Sequence, residues 1–208
     1  MALTIVNRSH LSDELITRAV SFVENGRDFS DTTLEIRTSQ SRPYAGRAYS
    51  RTPPSSGFTT SYLVRIWIAR EVALPRELHY RGYATAPFYT VQDLEELLLA
   101  VLAHEFEHIM QFRTKGRPRS EPAAEWVAAE TLNRYRRARG LPEERLRTCT
   151  VHEFVVLGLV YKPVCKGGPA LRHEKAVCRI CGLKRCKPVT GTTGLTVPGP
   201  AIAAAYSG

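Results

Sequence analysis

The sequence predicts an α+β fold, and three observations predict it. Residues 32–38 and 61–69 alternate apolar and polar side chains in the manner of strands. Residues 90–113 and 120–139 carry apolar residues at helical spacing and open on capping residues. The order is strand, strand, helix, helix, so a small sheet is followed by two long helices.

The first element is a helix over Ser12–Val23, where Leu15, Ile16, Ala19, Val20 and Val23 share a face. Ser12, followed by Asp13 and Glu14, starts it, and Asn25-Gly26 ends it. In Thr32–Thr38, Leu34 and Ile36 lie on one side. Residues 39–60 are rich in Ser, Arg, Pro, Gly and Tyr and read as a loop, with a short strand near Ala45–Ser50. In Ser61–Ala69, Tyr62, Val64, Ile66 and Ile68 form one face, with Leu63 and Trp67 on the other. Thr90 with Asp93 makes a capping pair for a helix that runs to Arg113 and breaks at Gly116. Its broad apolar face holds Leu94, Leu97, Leu98, Val101 and Leu102. Ser120 and Pro122 open the next helix, which stops at Gly140. Val151–Tyr161, VHEFVVLGLVY, is a strand or a short buried helix. Residues 162–188 hold four cysteines and few large apolar residues, and 189–208 read as a flexible tail.

With 208 residues, 43% of them hydrophobic, the chain suits one compact domain with a small appendage. No apolar run reaches 18 residues, so no membrane span is expected. The opening MALTIVNRSHLSDEL lacks the pattern of a secretory signal, and five cysteines do not suit a paired disulfide framework. Both point to the cytoplasm. Residues 113–188 hold 18 Lys and Arg against 7 Asp and Glu, whereas 1–112 hold 11 against 13. The basic half suits nucleic acid or an acidic partner. Solubility or a compositional preference for arginine is the plainer account, since residues 1–112 contain no lysine.

His104-Glu105-Phe106-Glu107-His108 is H-E-x-x-H. On a helix, positions i and i+4 lie one turn apart on one face, so both imidazoles reach one metal ion. Zinc lowers the pKa of a bound water from about 15.7 to about 7, and Glu105 is placed to take its proton and pass it to the leaving amine. Exposed histidines on a charged helix would be the bland alternative. A catalytic zinc takes three protein ligands and a water. Glu121 and Glu125, four apart at the start of the next helix, are the candidates for the third ligand, one binding and the other orienting. Each alone would also suit a helix's first turn.

HEFEH at 104–108, followed by Glu121-Pro-Ala-Ala124-Glu125-Trp-Val-Ala128, resembles the gluzincin pattern H-E-x-x-H … E-x-x-A-[DN]-x-x-A of ImmA/IrrE-like peptidases and of the membrane-bound prenyl-protein proteases. The resemblance covers about residues 32–139. It implies a zincin-like sheet and helix pair, a zinc-dependent endopeptidase acting on a protein or peptide substrate, Glu121 as third ligand, and Glu125 in the supporting Asp/Asn place. Only twelve residues separate His108 from Glu121, so Glu125 stays a rival ligand. The strands are also similar to those of SprT-like peptidases, whose third ligand is a His. No His lies between 109 and 151 here, and His152 stands as an ordinary residue or as a group facing the oxyanion. In such folds an edge strand above the metal pairs with substrate, which the resemblance assigns to Ser61–Arg70.

Cys178-Arg-Ile-Cys181-Gly is a C-x-x-C knuckle, with Cys165 upstream and Cys186 downstream. Four thiolates close a structural zinc site, with His173 able to replace one, and Cys149 stands apart. Reduced thiols without metal are the other reading; no thioredoxin-like βαβ pattern surrounds the pair. The organisation expected is a metallopeptidase domain over 1–160, a ribbon-like module over 161–188 and a tail over 189–208. The competing function is nucleic-acid binding through the basic, zinc-stapled half, with the H-E-x-x-H site secondary.

Overall fold

A computed structural model describes residues 3–80, 82–114, 119–150, 153–163 and 170–188. The expected tail, Gly116, His152 and Cys165 lie outside the described residues. The fold is α+β, and the chain divides into two compact units: Met1–Tyr80 with Thr85–Thr148, and Arg81–Ala84 with Cys149–Gly208.

The first unit opens on β1 (Thr4–Arg8), a five-residue strand whose pattern is too short to register in the sequence. Helix α1 (Asp13–Glu24) follows. The Ser12 hydroxyl accepts from the Leu15 amide, and Asn25 closes the helix in the left-handed region at φ 43°, which a short amide side chain tolerates. Strands β2 (Thr32–Ser39), β3 (Tyr44–Tyr49) and β4 (Tyr62–Ala69) complete a sheet ordered β1-β2-β4-β3. β1, β2 and β4 run parallel, and β3 is antiparallel to β4. This corrects one expectation. β4 is paired on both sides, so it cannot take up an extended substrate. The edge strands are β1 and β3, and β3 is the one that passes over the H-E-x-x-H helix.

Cross-strand register gives the sheet two unlike faces. Leu34 and Ile36 align with Val64 and Ile66, and with Ile68 they form the apolar floor under α1 and the later helices. On the opposite face Glu35 aligns with Arg65 and accepts from it at 2.7 Å, as it does from Arg37. Arg8 adds an ion pair at 3.3 Å. Burial opposes the charge on Glu35, but the guanidinium hydrogen bonds outweigh it and hold the carboxyl below its ordinary range.

A short hairpin, β5 (Arg76–Leu78) and β6 (Tyr89–Val91), leads into α2 (Leu94–Arg113), and α3 (Glu121–Ala138) returns along it. The cap of α2 is Asp93, whose carboxylate accepts from the Glu96 amide at 2.8 Å. Thr90, expected to cap the helix, lies in β6 and is held by Glu144 instead. Ser120 caps α3, accepting from the Ala123 amide. A buried pair ties the helices at one end. Arg136 spans both oxygens of Glu96 at 2.8 and 2.6 Å and donates to the Thr90 carbonyl at 2.6 Å. Such bidentate, charge-assisted contacts fix both position and angle.

The second unit carries an antiparallel sheet of β7 (Phe154–Pro163), β8 (Ala170–Cys178) and β9 (Lys184–Pro188), in that order. β7 resolves the ambiguity over the described part of the 151–161 run as a strand. Val155, Val156 and Leu157 are 48, 52 and 58% exposed, and a register shift between Val156 and Gly158 interrupts the alternation. Backbone bonds draw residues 82–84 into this unit: the Gly82 amide donates to the Cys181 carbonyl at 2.8 Å, and the Cys149 amide to the Ala84 carbonyl at 3.2 Å. Among the described residues no helix is long and apolar enough to cross a membrane.

Glu35→Gln should lower unfolding free energy by about 1–3 kcal/mol in urea titration, since the arginines it serves keep partial access to water. The sign with pH follows from a depressed carboxyl. Its stabilisation is complete above the ordinary carboxylate value of about 4 and is lost as pH falls through the lower folded value. The variant should therefore lose less stability than the parent on acidification, and equal acid sensitivity would contradict the role given to Glu35.

Candidate metal centre

α2 is buried nearly all round from Glu96 to Gln111, and it carries His104, Glu105 and His108 into the interior. The two imidazoles are one turn apart, with ring centroids 4.7 Å from each other and planes at 83°. Their Nε2 atoms are 3.1 Å apart, and Oε2 of Glu121, from the first turn of α3, lies 3.3 Å from each. The three donor atoms form a nearly equilateral triangle. Donors at about 2.0–2.1 Å from a tetrahedral zinc stand about 3.3 Å apart, so this triangle has the size of one face of such a site. His104, His108 and Glu121 are thus a group able to hold a metal ion.

The hydrogen bonds behind the rings decide what the Nε2 atoms offer. The Ser120 amide donates to Gln111 Oε1 at 2.9 Å, which fixes that oxygen as an acceptor. His108 Nδ1, 3.0 Å from the same oxygen, must then be the donor. His104 Nδ1 lies 3.2 Å from Glu125 Oε1, a carboxylate that only accepts when ionised. Tyr89 in turn donates to Glu125 Oε2 at 2.7 Å. Burial, and then the charge of Glu125, hold the Tyr89 hydroxyl well above its ordinary value, so it stays a donor. With both Nδ1 atoms protonated, Nε2 is the nitrogen that each ring turns toward a cation, which at His104 must displace a proton. Glu125 sits behind His104 and Glu121 in front of it. Arg119 holds the other Glu121 oxygen at 2.9 Å.

Electrostatics agree with the geometry. Burial opposes charge on His104, yet hydrogen bonds to Glu121 and Glu125 raise it to about 9. Its partner Glu121 falls to about 2, first through that bond to His104. Burial and the neighbouring His104 charge lower His108. A proton is therefore held where the triangle closes, at the point best placed for a cation.

Glu105 lines the adjoining cleft of about 240 Å³ with His104, Tyr44, Leu78, Tyr89 and Val101. Burial pushes its carboxyl up to about 7, against the field of His104 and a hydrogen bond from the Ala48 amide. Its Oε2 is buried and accepts no hydrogen bond among the described residues. β3 passes directly over it. A Cβ on Gly46 would fall 2.4 Å from Glu105 Oε1, so only glycine lets the strand come this near.

The sequence reading missed Gln111, Tyr89, Gly46 and the Ala48 amide. Gln111 had a signal, since it follows His108 by three positions and shares its helix face. The others had none, because tertiary packing alone brings them in.

The cysteines are arranged differently from expectation. Cys178 and Cys181 lie together, and Cys149 joins them; the Sγ atoms are all within 4.8 Å of one another. Cys149 therefore does not stand apart. Burial pushes its thiol up to about 12, and Cys181 and Cys178 add to the shift. Cys186 is described through its place on β9, opposite Lys175, and His173 lies on β8 opposite Pro188.

No family model, curated protein or solved structure matches this chain.

Two measurements check the centre. Glu121→Ala should weaken zinc binding far more than Glu125→Ala, whose loss should stay within the roughly 10–100-fold of a supporting contact. The proton on His104 competes with the metal, so apparent affinity should rise with pH up to about 9. Calorimetry at pH 7 in buffers of different ionisation enthalpy should show proton release on binding.

Proposed function

We propose that the first unit is a zinc-dependent endopeptidase of the gluzincin type, resembling ImmA/IrrE-like and SprT-like peptidases. The observation that carries the proposal is the pairing of a three-donor triangle with an under-bonded, buried carboxylate. His104, His108 and Glu121 supply two neutral nitrogens and one carboxylate oxygen, a donor set suited to zinc with one position left open. Glu125 and Gln111 keep both rings turned toward the ion. When bound, zinc supplies a Lewis acid and makes a water acidic enough to lose its proton near neutral pH.

The rest of the chemistry falls to the chain. Glu105 Oε2 has an unused lone pair and a proton affinity near neutrality, so it can take a proton from water and return it to a leaving amine. The Ala48 amide restrains the carboxylate, and Gly46 keeps the strand close enough to exclude water from one side. β3 is the edge strand beside Glu105, and its outer side suits an extended peptide added as a further strand. The apolar wall of Leu78 and Val101 then faces one substrate side chain.

Glu105→Gln should retain zinc and fold while lowering cleavage of a casein-like substrate by at least about 100-fold, because general acid–base transfer contributes about 10²–10⁴. Comparable cleavage by both forms would end the proposal. Gly46→Ala offers an independent check. The new methyl must displace the Glu105 carboxylate, so zinc content should hold while kcat falls by about 10-fold or more.

A further inference from the structure

We propose that Cys149, Cys178 and Cys181 bind a second metal ion, zinc, that is structural and closes the loops of the second unit. The local backbone builds half of the site. Gly182, at φ 73°, takes a turn few other residues adopt, and its amide donates to the Cys178 carbonyl at 2.8 Å. The Cys178 amide donates to the Leu183 carbonyl at 2.9 Å. This tight knuckle turns the Cys178 and Cys181 thiols to one side. The third donor arrives from 29 residues upstream, and backbone bonds hold it there. Ala84 accepts from the Cys149 amide, and the Cys181 carbonyl accepts from Gly82, so segments 82–84, 149 and 178–182 meet around the three sulfurs.

Chemistry selects the ligand class. The Sγ atoms lie within 4.8 Å, and none is in a disulfide. Thiolates at about 2.3 Å from a tetrahedral zinc stand about 3.8 Å apart, within that spread. Sulfur donors favour zinc over the hard cations that oxygen donors take. All three residues are buried, and the other buried apolar side chain described in this unit is that of Ala176. Among the described side chains of this sheet few others are buried, and binding energy at such a site is folding energy. Cys149 joins Cys178 and Cys181 here rather than standing apart, while Cys165 and the Cys186 side chain, the expected further donors, lie outside the described residues. Three thiolates leave one tetrahedral position.

The test uses the full-length reduced protein loaded with cobalt(II), whose thiolate complexes absorb in the near ultraviolet through sulfur-to-metal charge transfer. The parent should show this band. His104→Ala with His108→Ala should keep it, which separates this site from the peptidase centre. Cys149→Ser should diminish the band and weaken cobalt binding by more than about 10-fold. Cys165→Ser and Cys186→Ser should leave both unchanged. Because Cys149→Ser could unfold the unit, alkylation of the parent provides a second measure. Mapped by peptide mass, Cys149, Cys178 and Cys181 should resist modification when zinc-loaded and react after chelation. No band in the parent, a band insensitive to Cys149→Ser or lost in Cys165→Ser, or equal reactivity of Cys149 with and without metal would overturn the assignment.

Discussion

Two imidazoles one helical turn apart can share a cation only if each keeps its proton on the far side of the ring. In this protein two hydrogen bonds enforce that, one from His104 to Glu125 and one from His108 to Gln111. Both acceptors depend on α3. Glu125 is part of it, and Gln111 is oriented by the amide of its cap, Ser120. The angle between α2 and α3 is therefore a condition of the chemistry. It is fixed at the opposite end by the buried Arg136–Glu96 pair, which also holds β6 through the Thr90 carbonyl. β6 carries Tyr89, which steadies Glu125. Polar contacts about the length of a helix apart thus converge on one carboxylate.

The sheet serves the same end by being asymmetric. Its inner face is a floor of branched apolar residues that seats α2. Its outer face gathers three arginines around Glu35 and leaves the floor undisturbed. Only at β3 does the backbone itself join the site. There the absence of a side chain at Gly46 and the amide of Ala48 shape the surroundings of Glu105. An internal strand could not combine this contact with an open edge.

Much of the architecture could be read from local signals, and what could not has physical reasons. α1 and α3 follow their caps, Ser12 and Ser120, because capping is a contact over two or three residues. That His104 and His108 share a face follows from spacing alone. Thr90 misleads because a distant residue, Glu144, outbids the local capping pattern. β1, β5 and β6 span five, three and three residues, too few for a period to show. Strand order is set by long-range pairing, so the edge role that the resemblance assigned to β4 fails, because the strand is interior. Cys149 carries no pattern of its own and gains meaning only when the chain brings it back to Cys178 and Cys181.

Residues 82–84 belong with a unit whose remaining parts come after Thr148. The chain thus leaves the first unit and returns to it before its last helices are made. During synthesis this short excursion emerges some 65 residues ahead of the first backbone partner it will find, at Cys149. The second unit cannot close until nearly all of the first has been translated, and no single cut separates the two. Isolating the first unit calls for two edits, removal of the later segment and a new short turn in place of 81–84. A library of simple C-terminal truncations would instead leave an orphaned loop beside the cleft-lining residues His79 and Tyr80.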